Sequence, residues 1–252
     1  MLTLSLIGIG CGDPGQLTLA AVRAINAADL ILIPRKGAAK ADLADLRRTI
    51  CEQVLDNQRA RLAEFDLPVR DAEGEDYRKG VDDWHDAVAQ AWSGEIARHL
   101  GDRGKVALLI WGDPSLYDSS LRIARRLQPA PTIEVVPGVT AIQALCAAHR
   151  IPLNEIAEPF LVTTGRRLRD AGWPVGIDTV VVMLDGGAAF QSLDSKGVHI
   201  WWGACLGMPD QLIMAGPLAE VGPAIVAARQ EARASHGWIM DTYILRRNAP
   251  RA

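Results

Sequence analysis

Short apolar runs alternate with amphipathic stretches through the first 150 residues of the chain. A strand ended by Pro137-Gly138 is expected over 132–136, and the runs at 2–7, 29–33 and 106–110 are almost continuously apolar. That is the pattern of strands buried on both faces. Stretches 17–25, 41–55, 82–100 and 139–149 carry helical periodicity, with Leu43, Leu46, Ile50 and Val54 on the inward face of the second. A short strand is expected over 65–69 and a polar surface loop over 71–79. Strand–helix–strand spacing of this kind predicts parallel pairing through right-handed crossovers.

Pro152 and Pro159 break the pattern. Beyond them strands crowd together, at 160–164, 179–184, 199–202, 211–215 and 238–246, with helices expected only over 188–193 and 218–234. A β-rich second half predicts a mixed sheet. The expected fold is α/β, with two α/β domains, 1–150 and 159–252, a linker over 151–158 and a cleft between the domains.

Composition narrows the functional classes. The 252 residues are 49% hydrophobic and 23% charged, as in soluble globular proteins. A net charge of −3 argues against a nucleic-acid partner held through phosphates. Cys11, Cys51, Cys146 and Cys205 are widely spaced, without a Cys-x-x-Cys pair. Reduced thiols in a cytoplasmic protein are expected, and no metal centre. His85, His99, His149 and His199 lack metal-ligand spacing and are expected at the surface or in caps. Met1 leads straight into a strand with no basic segment, and no apolar run approaches the ~20 residues needed to cross a bilayer. No membrane partner is expected.

Two Gly-Asp-Pro turns, 12–14 and 112–114, each follow an apolar strand. Gly tolerates close approach of another molecule, and Pro fixes φ at a helix start. One such turn is commonplace; two at corresponding strand ends suggest two lips of one site. The first loop also contains Gly10-x-Gly12-x-x-Gly15, formally a dinucleotide fingerprint. Its surroundings argue otherwise. Asp13 puts negative charge where a pyrophosphate would sit and is better placed to cap the helix, and Pro14 removes a donor. The acidic ribose ligand expected about 20 residues further on is replaced by Pro34-Arg35-Lys36. Arg35 leaves a 2′-phosphate cofactor as an alternative. A phosphate-free, cationic ligand such as S-adenosylmethionine suits the acidic turns better.

The ordered motifs Gly8-x-Gly10-x-Gly12-Asp13-Pro14-x-x-Leu17-Thr18-x-x-Ala21, Gly112-Asp113-Pro114 and Val136-Pro137-Gly138-Val139-Thr140-Ala141 resemble those of the tetrapyrrole methylases. A second layer of motifs resembles one branch of that family, which acts in aerobic cobalamin biosynthesis. It comprises Trp111 to Asp118, His149 to Asn154, Thr163 to Leu168, Val182 to Gly186 and His236 to Tyr243, with Lys36-Gly37-x-x-Lys40-Ala41-Asp42-Leu43. The resemblance implies S-adenosylmethionine bound between two α/β domains, a homodimer, and methylation of precorrin-5 at C1 with loss of the acetyl group as acetate. Cys11 departs from the Pro that much of the wider family has there.

The resemblance also implies roles. Cofactor contacts are expected from Cys11, the backbone of Trp111, Gly112 and Asp113, Leu116, Thr140 and Ala141, and from Met183, Leu184 and Ala215 in the second domain. Gly112 and Asp113 are expected to hold the cofactor, with Gly10 to Gly12 bordering the methyl group and the macrocycle. Deacetylation needs a general base and a stabilised oxyanion. Asp113, Tyr117, Asp185, His236 and Asp241 are candidate suppliers, Tyr117 and Asp241 first. Precorrins carry many carboxylates, which Arg binds in bidentate fashion. Arg35, Lys36, Lys40, Arg166 and Arg167 are therefore expected to bind substrate, although an Arg run taken alone is ordinarily a solvated loop.

Overall fold

A computed structural model describes residues 1–35, 41–69, 77–237 and 239–247. Contacts divide the chain into two units, Met1–Thr140 and Ala141–Ala252, each built on its own five-stranded sheet.

The first unit runs β1 (Leu2–Gly8), α1 (Leu19–Asn26), β2 (Leu30–Arg35), α2 (Ala41–Val54), β3 (Arg61–Asp66), α3 (Tyr77–His99), β4 (Gly104–Ile110), α4 (Ser120–Ala124) and β5 (Thr132–Val136). The strands lie in the order β3-β2-β4-β1-β5, and every pairing is parallel. Period-two alternation sends Leu4, Leu6, Leu30, Leu32 and Leu108 to one face, where they meet Val88, Trp92 and Ile96 of α3. Ile7, Ile31, Ile33 and Leu109 go to the other, against Ala21 and Ile25 of α1 and Ala44 and Ile50 of α2.

Three local differences from expectation have simple causes. β2 continues through Pro34 because its pairing with β4 stops at Leu32, so the missing Pro N–H costs no ladder bond on that side. Helix α1 starts late because Asp13 caps a separate 3₁₀ turn, Pro14–Gln16, and Thr18 then caps α1 through the Ala21 N–H at 3.0 Å. β3 lies earlier than expected, since it is Ala63 and Phe65 that bury against the core. Most of the expected loop over 71–79 lies outside the described residues.

The second unit runs α5 (Ala141–His149), β6 (Phe160–Thr164), α6 (Gly165–Ala171), β7 (Thr179–Met183), β8 (Val198–Ala204), β9 (Leu212–Pro217), α7 (Leu218–His236) and β10 (Asp241–Arg247). The strand order is β6-β7-β10-β8-β9. β6 and β7 are parallel and the remaining pairs antiparallel, so the sheet is mixed. Helix α5 packs on β8, β9 and β10, which puts the division after Thr140 rather than at the prolines. The segment expected as a linker is fastened to the second sheet. Buried Arg246 donates to the carbonyls of Pro152 (3.1 Å) and Leu153 (2.9 Å) and to Thr179 Oγ1 (3.1 Å), and pairs with Glu155. Helix α6 was not anticipated. Thr164 caps it, Leu168 anchors it in the core, and its arginines occupy the exposed side.

Candidate active site

Three loops leave adjacent strands at the carboxyl edge of the first sheet, after β4, β1 and β5, where open α/β sheets bind ligands. The glycine loop after β1 is joined directly to the second Gly-Asp-Pro turn. Gly112 N–H donates to Gly10 O at 2.8 Å and Gly10 N–H to Gly112 O at 3.3 Å, an isolated antiparallel bridge. The β5 loop is pressed against both. A Cβ on Gly138 would lie 2.2 Å from Gly112 O and 2.7 Å from Gly8 C, and one on Gly8 would lie 2.5 Å from Gly138 N. These glycines are required for backbone to touch backbone.

Asp113 ties the crossing together. Its Oδ2 accepts the Gly138 N–H at 2.9 Å, and its Oδ1 accepts the N–H (2.8 Å) and the hydroxyl of Ser115. The carboxyl is held below its ordinary pKa: these three bonds outweigh burial, which is the largest single influence and acts upward. Asp113 therefore contributes to the site as a brace, and its carboxylate has little capacity left for a ligand. Gly112 differs from its neighbours: at φ +66°, a Cβ there would meet nothing nearer than Thr140 Cα at 4.0 Å. Both its polar backbone atoms are used, so what it offers a ligand is an open Cα face.

Cys11 is buried, with its Sγ 3.7 Å from Val139 O and its N–H donating to Gln16 Oε1 at 3.1 Å. Burial pushes the thiol up to about 12, so it is neutral at physiological pH. Asp13 accepts the Gly15 N–H at 2.7 Å, as a cap rather than a ligand. Tyr117 adopts φ +51° and is 46% exposed. A bulky residue in the left-handed region marks strain, which is common at ligand sites. Partial burial raises its phenol pKa, so Tyr117 carries its proton at neutral pH. Trp111, Leu116 and Thr140 are half-buried beside these turns.

In the second unit, Met183 ends β7 and Leu184 follows at φ +52°, 65% exposed. Asp185 turns inward. Its carboxylate accepts the N–H groups of Gly187 (3.0 Å) and Ala189 (2.6 Å) and the Tyr243 hydroxyl (2.6 Å). It also fills the place where a Cβ on Gly165 would stand, 2.2 Å from its Oδ1. Arg229 donates to Asp185 O at 2.6 Å and pairs with Asp241, whose Oδ2 also accepts Trp202 Nε1–H at 2.8 Å. Ala215 lies exposed on β9, and Ala141 opens α5.

These surroundings bear on two expected roles. Asp241 is not a free base: its carboxylate neutralises a buried guanidinium and accepts an indole donor. Arg35 is not an open substrate clamp: Asp66 fills its fork, with Nη2 to Oδ2 and Nε to Oδ1 both at 3.0 Å. Arg166 and Arg167 are exposed in the first turn of α6. Lys36 and Lys40 lie outside the described residues. Sequence reading missed Arg229 and Tyr243, the inward partners of Asp185. The signal for Arg229 was available, since it stands one helical turn after buried Ile225.

The family profile described as Tetrapyrrole (Corrin/Porphyrin) Methylases matches residues 3–222, and the chain belongs to that family. Within it, the chain is 45% identical over 253 residues to a precorrin-6A synthase (deacetylating) of Sinorhizobium sp., an alignment covering 99% of this chain and 97% of that one. The crystal structure of a cobalamin-synthesis-related protein (CobF) of Corynebacterium diphtheriae superposes with a TM-score of 0.83 at 36% identity, covering 99% of this chain and 100% of the other. A uroporphyrin-III C-methyltransferase of Thermus thermophilus, solved with S-adenosylhomocysteine, shares the fold at a TM-score of 0.55 and 19% identity, covering 96% of each chain.

Proposed function

We propose that this chain is a precorrin-6A synthase (deacetylating), which methylates precorrin-5 at C1 with S-adenosylmethionine as donor and releases acetate. The near full-length match to the Sinorhizobium enzyme carries the reading. The three-glycine crossing supports the donor. Gly112 leaves open space over its Cα, and neither acidic turn offers a phosphate site, which suits a sulfonium ligand. When bound, S-adenosylmethionine supplies an already activated methyl group. The residues of the chain then have to orient and exclude water, and holding the donor in line is the larger part of that work.

On this reading the bridge between Gly10 and Gly112, braced by Asp113, fixes the surface against which the donor lies. Trp111, Leu116, Thr140, Ala141 and the neutral Cys11 complete it. Met183, Leu184 and Ala215 are assigned to the cofactor as well, Leu184 because an exposed apolar side chain on strained backbone is typical of ligand-contacting loops. Protonated Tyr117 is assigned to the oxyanion formed as water attacks the acetyl carbonyl. Arg166 and Arg167 are assigned to substrate carboxylates. A homodimer and a cytoplasmic location belong to the same reading. Among the described residues no helix is long and apolar enough to cross a membrane, and no cluster of three or more His, Cys, Asp or Glu side chains is placed to hold a metal.

The test is incubation with precorrin-5 and methyl-labelled S-adenosylmethionine. Labelled product and free acetate in equal amounts are expected. Label without acetate indicates a methylase acting at another ring carbon, and neither indicates a non-catalytic tetrapyrrole carrier.

A further inference from the structure

Arg47 of α2 is only 9% exposed, yet no carboxylate lies within ion-pairing distance of it among the described residues. Its Nε–H donates to Leu109 O at 2.9 Å and its Nη1 to Leu43 O at 2.7 Å. Among the described residues Nη2 has no hydrogen-bond acceptor, and Nη1 has only Leu43 O. Asp118 is felt only through space, opposing the larger effect of burial, which brings the guanidinium down to about 10. Asp118 itself is engaged with the Ser120 N–H at 2.6 Å. At neutral pH Arg47 is therefore a nearly buried, charged side chain whose hydrogen bonds among the described residues go to two neutral carbonyls. Buried guanidinium groups ordinarily have an anionic partner.

The position of the group points to what that partner is. Leu109 is the penultimate residue of β4, so the guanidinium sits at the carboxyl edge of the first sheet, beside the strand that leads into the Trp111 to Asp118 turn. Its unused donors form the planar fork that matches a carboxylate. Helix α2 presents it along the same stripe as Leu43, Ile50 and Val54, which fixes its direction through the fold rather than leaving it to solvent.

We propose that Arg47 anchors a carboxylate of a bound ligand at this edge. The inference rests on the functional reading above, which supplies two ligands with that chemistry. One source is an acetate or propionate arm of the macrocycle, and the other is the amino-acid carboxylate of the cofactor.

The test compares wild type with Arg47→Gln and Arg47→Lys in two titrations, S-adenosylhomocysteine by calorimetry and uroporphyrin III, a polycarboxylate macrocycle, by fluorescence, each with a melting curve. Arg47→Gln is expected to weaken one ligand by about tenfold or more, the loss of one charge-assisted contact, and Arg47→Lys to fall between. Loss of uroporphyrin affinity assigns the macrocycle, and loss of S-adenosylhomocysteine affinity assigns the cofactor. Both affinities within about twofold of wild type, with only the melting temperature lowered, would make Arg47 a structural clamp and overturn the proposal. If Arg47→Gln does not fold, Arg47→Lys decides by the same criteria. Failure of the precorrin-5 assay would overturn the functional reading alone, because both titrations still report on Arg47.

Discussion

Arg229 and Asp241 form a buried ion pair, each with 3% of its side chain exposed, and through it helix α7 holds the start of β10 and the loop after β7. Removing one partner strands a buried charge. Arg229→Met is therefore expected to lower unfolding free energy by about 3–5 kcal/mol, while Arg229→Met with Asp241→Leu recovers much of the loss. Urea titrations of the three proteins measure this. The same pairing predicts that Asp241→Asn costs stability but leaves acetate release near wild type in the folded protein. A fall of about a hundredfold or more in acetate release without loss of stability would restore the general-base role.

The glycine crossing makes a contrasting pair of predictions. Gly138→Ala drives a methyl group into Gly112 O and the Gly8 backbone, neither of which can yield, so the first unit is expected to lose about 3 kcal/mol or more. Gly112→Ala meets no such clash and costs about 1–2 kcal/mol for its left-handed backbone. If the donor lies over Gly112, S-adenosylhomocysteine affinity should fall by far more than that strain accounts for, read by calorimetry on the folded variant. Unchanged affinity would move the donor away from Gly112.

The inner strands were legible because burial leaves a strong apolar signal, and the glycine loops because backbone contact admits no other residue. What escaped was determined by partners distant in sequence. The Arg run at 166–169 carries no apolar periodicity, so α6 was invisible without Thr164 as its cap and Leu168 as its anchor. Arg47 falls on the inward stripe of α2 between Leu43 and Ile50, but its acceptor, Leu109 O, comes from β4 and nothing local announces it. Asp241 was singled out for its motif, and nothing local to it announces Arg229, which comes from α7. Arg35 looked available until β3 brought Asp66 alongside it.

His85 makes the fold sensitive to acid. It is buried on α3, and neither ring nitrogen has a hydrogen-bond partner among the described residues. Its pKa lies below the ordinary 6.5, chiefly through burial and then through Arg126, with Arg122 adding to the effect and Asp82 and Asp86 opposing it. The unfolded chain thus takes up a proton more readily than the folded one. The contribution of His85 is intact above pH 6.5 and is lost as pH falls from there through the lower folded-state pKa. Urea unfolding between pH 5 and 7.5 should show stability declining over that interval. His85→Leu should flatten this limb while retaining the shallower dependence of the carboxylates. An unchanged slope in His85→Leu would assign the acid sensitivity elsewhere.

Tyr117 separates deacetylation from methyl transfer. Its raised phenol pKa means that near neutral pH it can donate a proton or a hydrogen bond but cannot act as a base. Tyr117→Phe keeps the ring and removes only the donor. Acetate release is expected to slow by about a hundredfold or more, the usual consequence of losing one oxyanion donor. S-adenosylhomocysteine affinity and melting temperature should stay near wild type. The pH profile makes a further distinction. A base of raised pKa would make the wild-type rate climb with pH toward that pKa, whereas a donor keeps the rate flat until the phenol ionises above its ordinary 10.0. A rising profile from neutral to pH 9 that Tyr117→Phe abolishes would make Tyr117 the base, and equal acetate release by the two proteins would remove it from the chemistry.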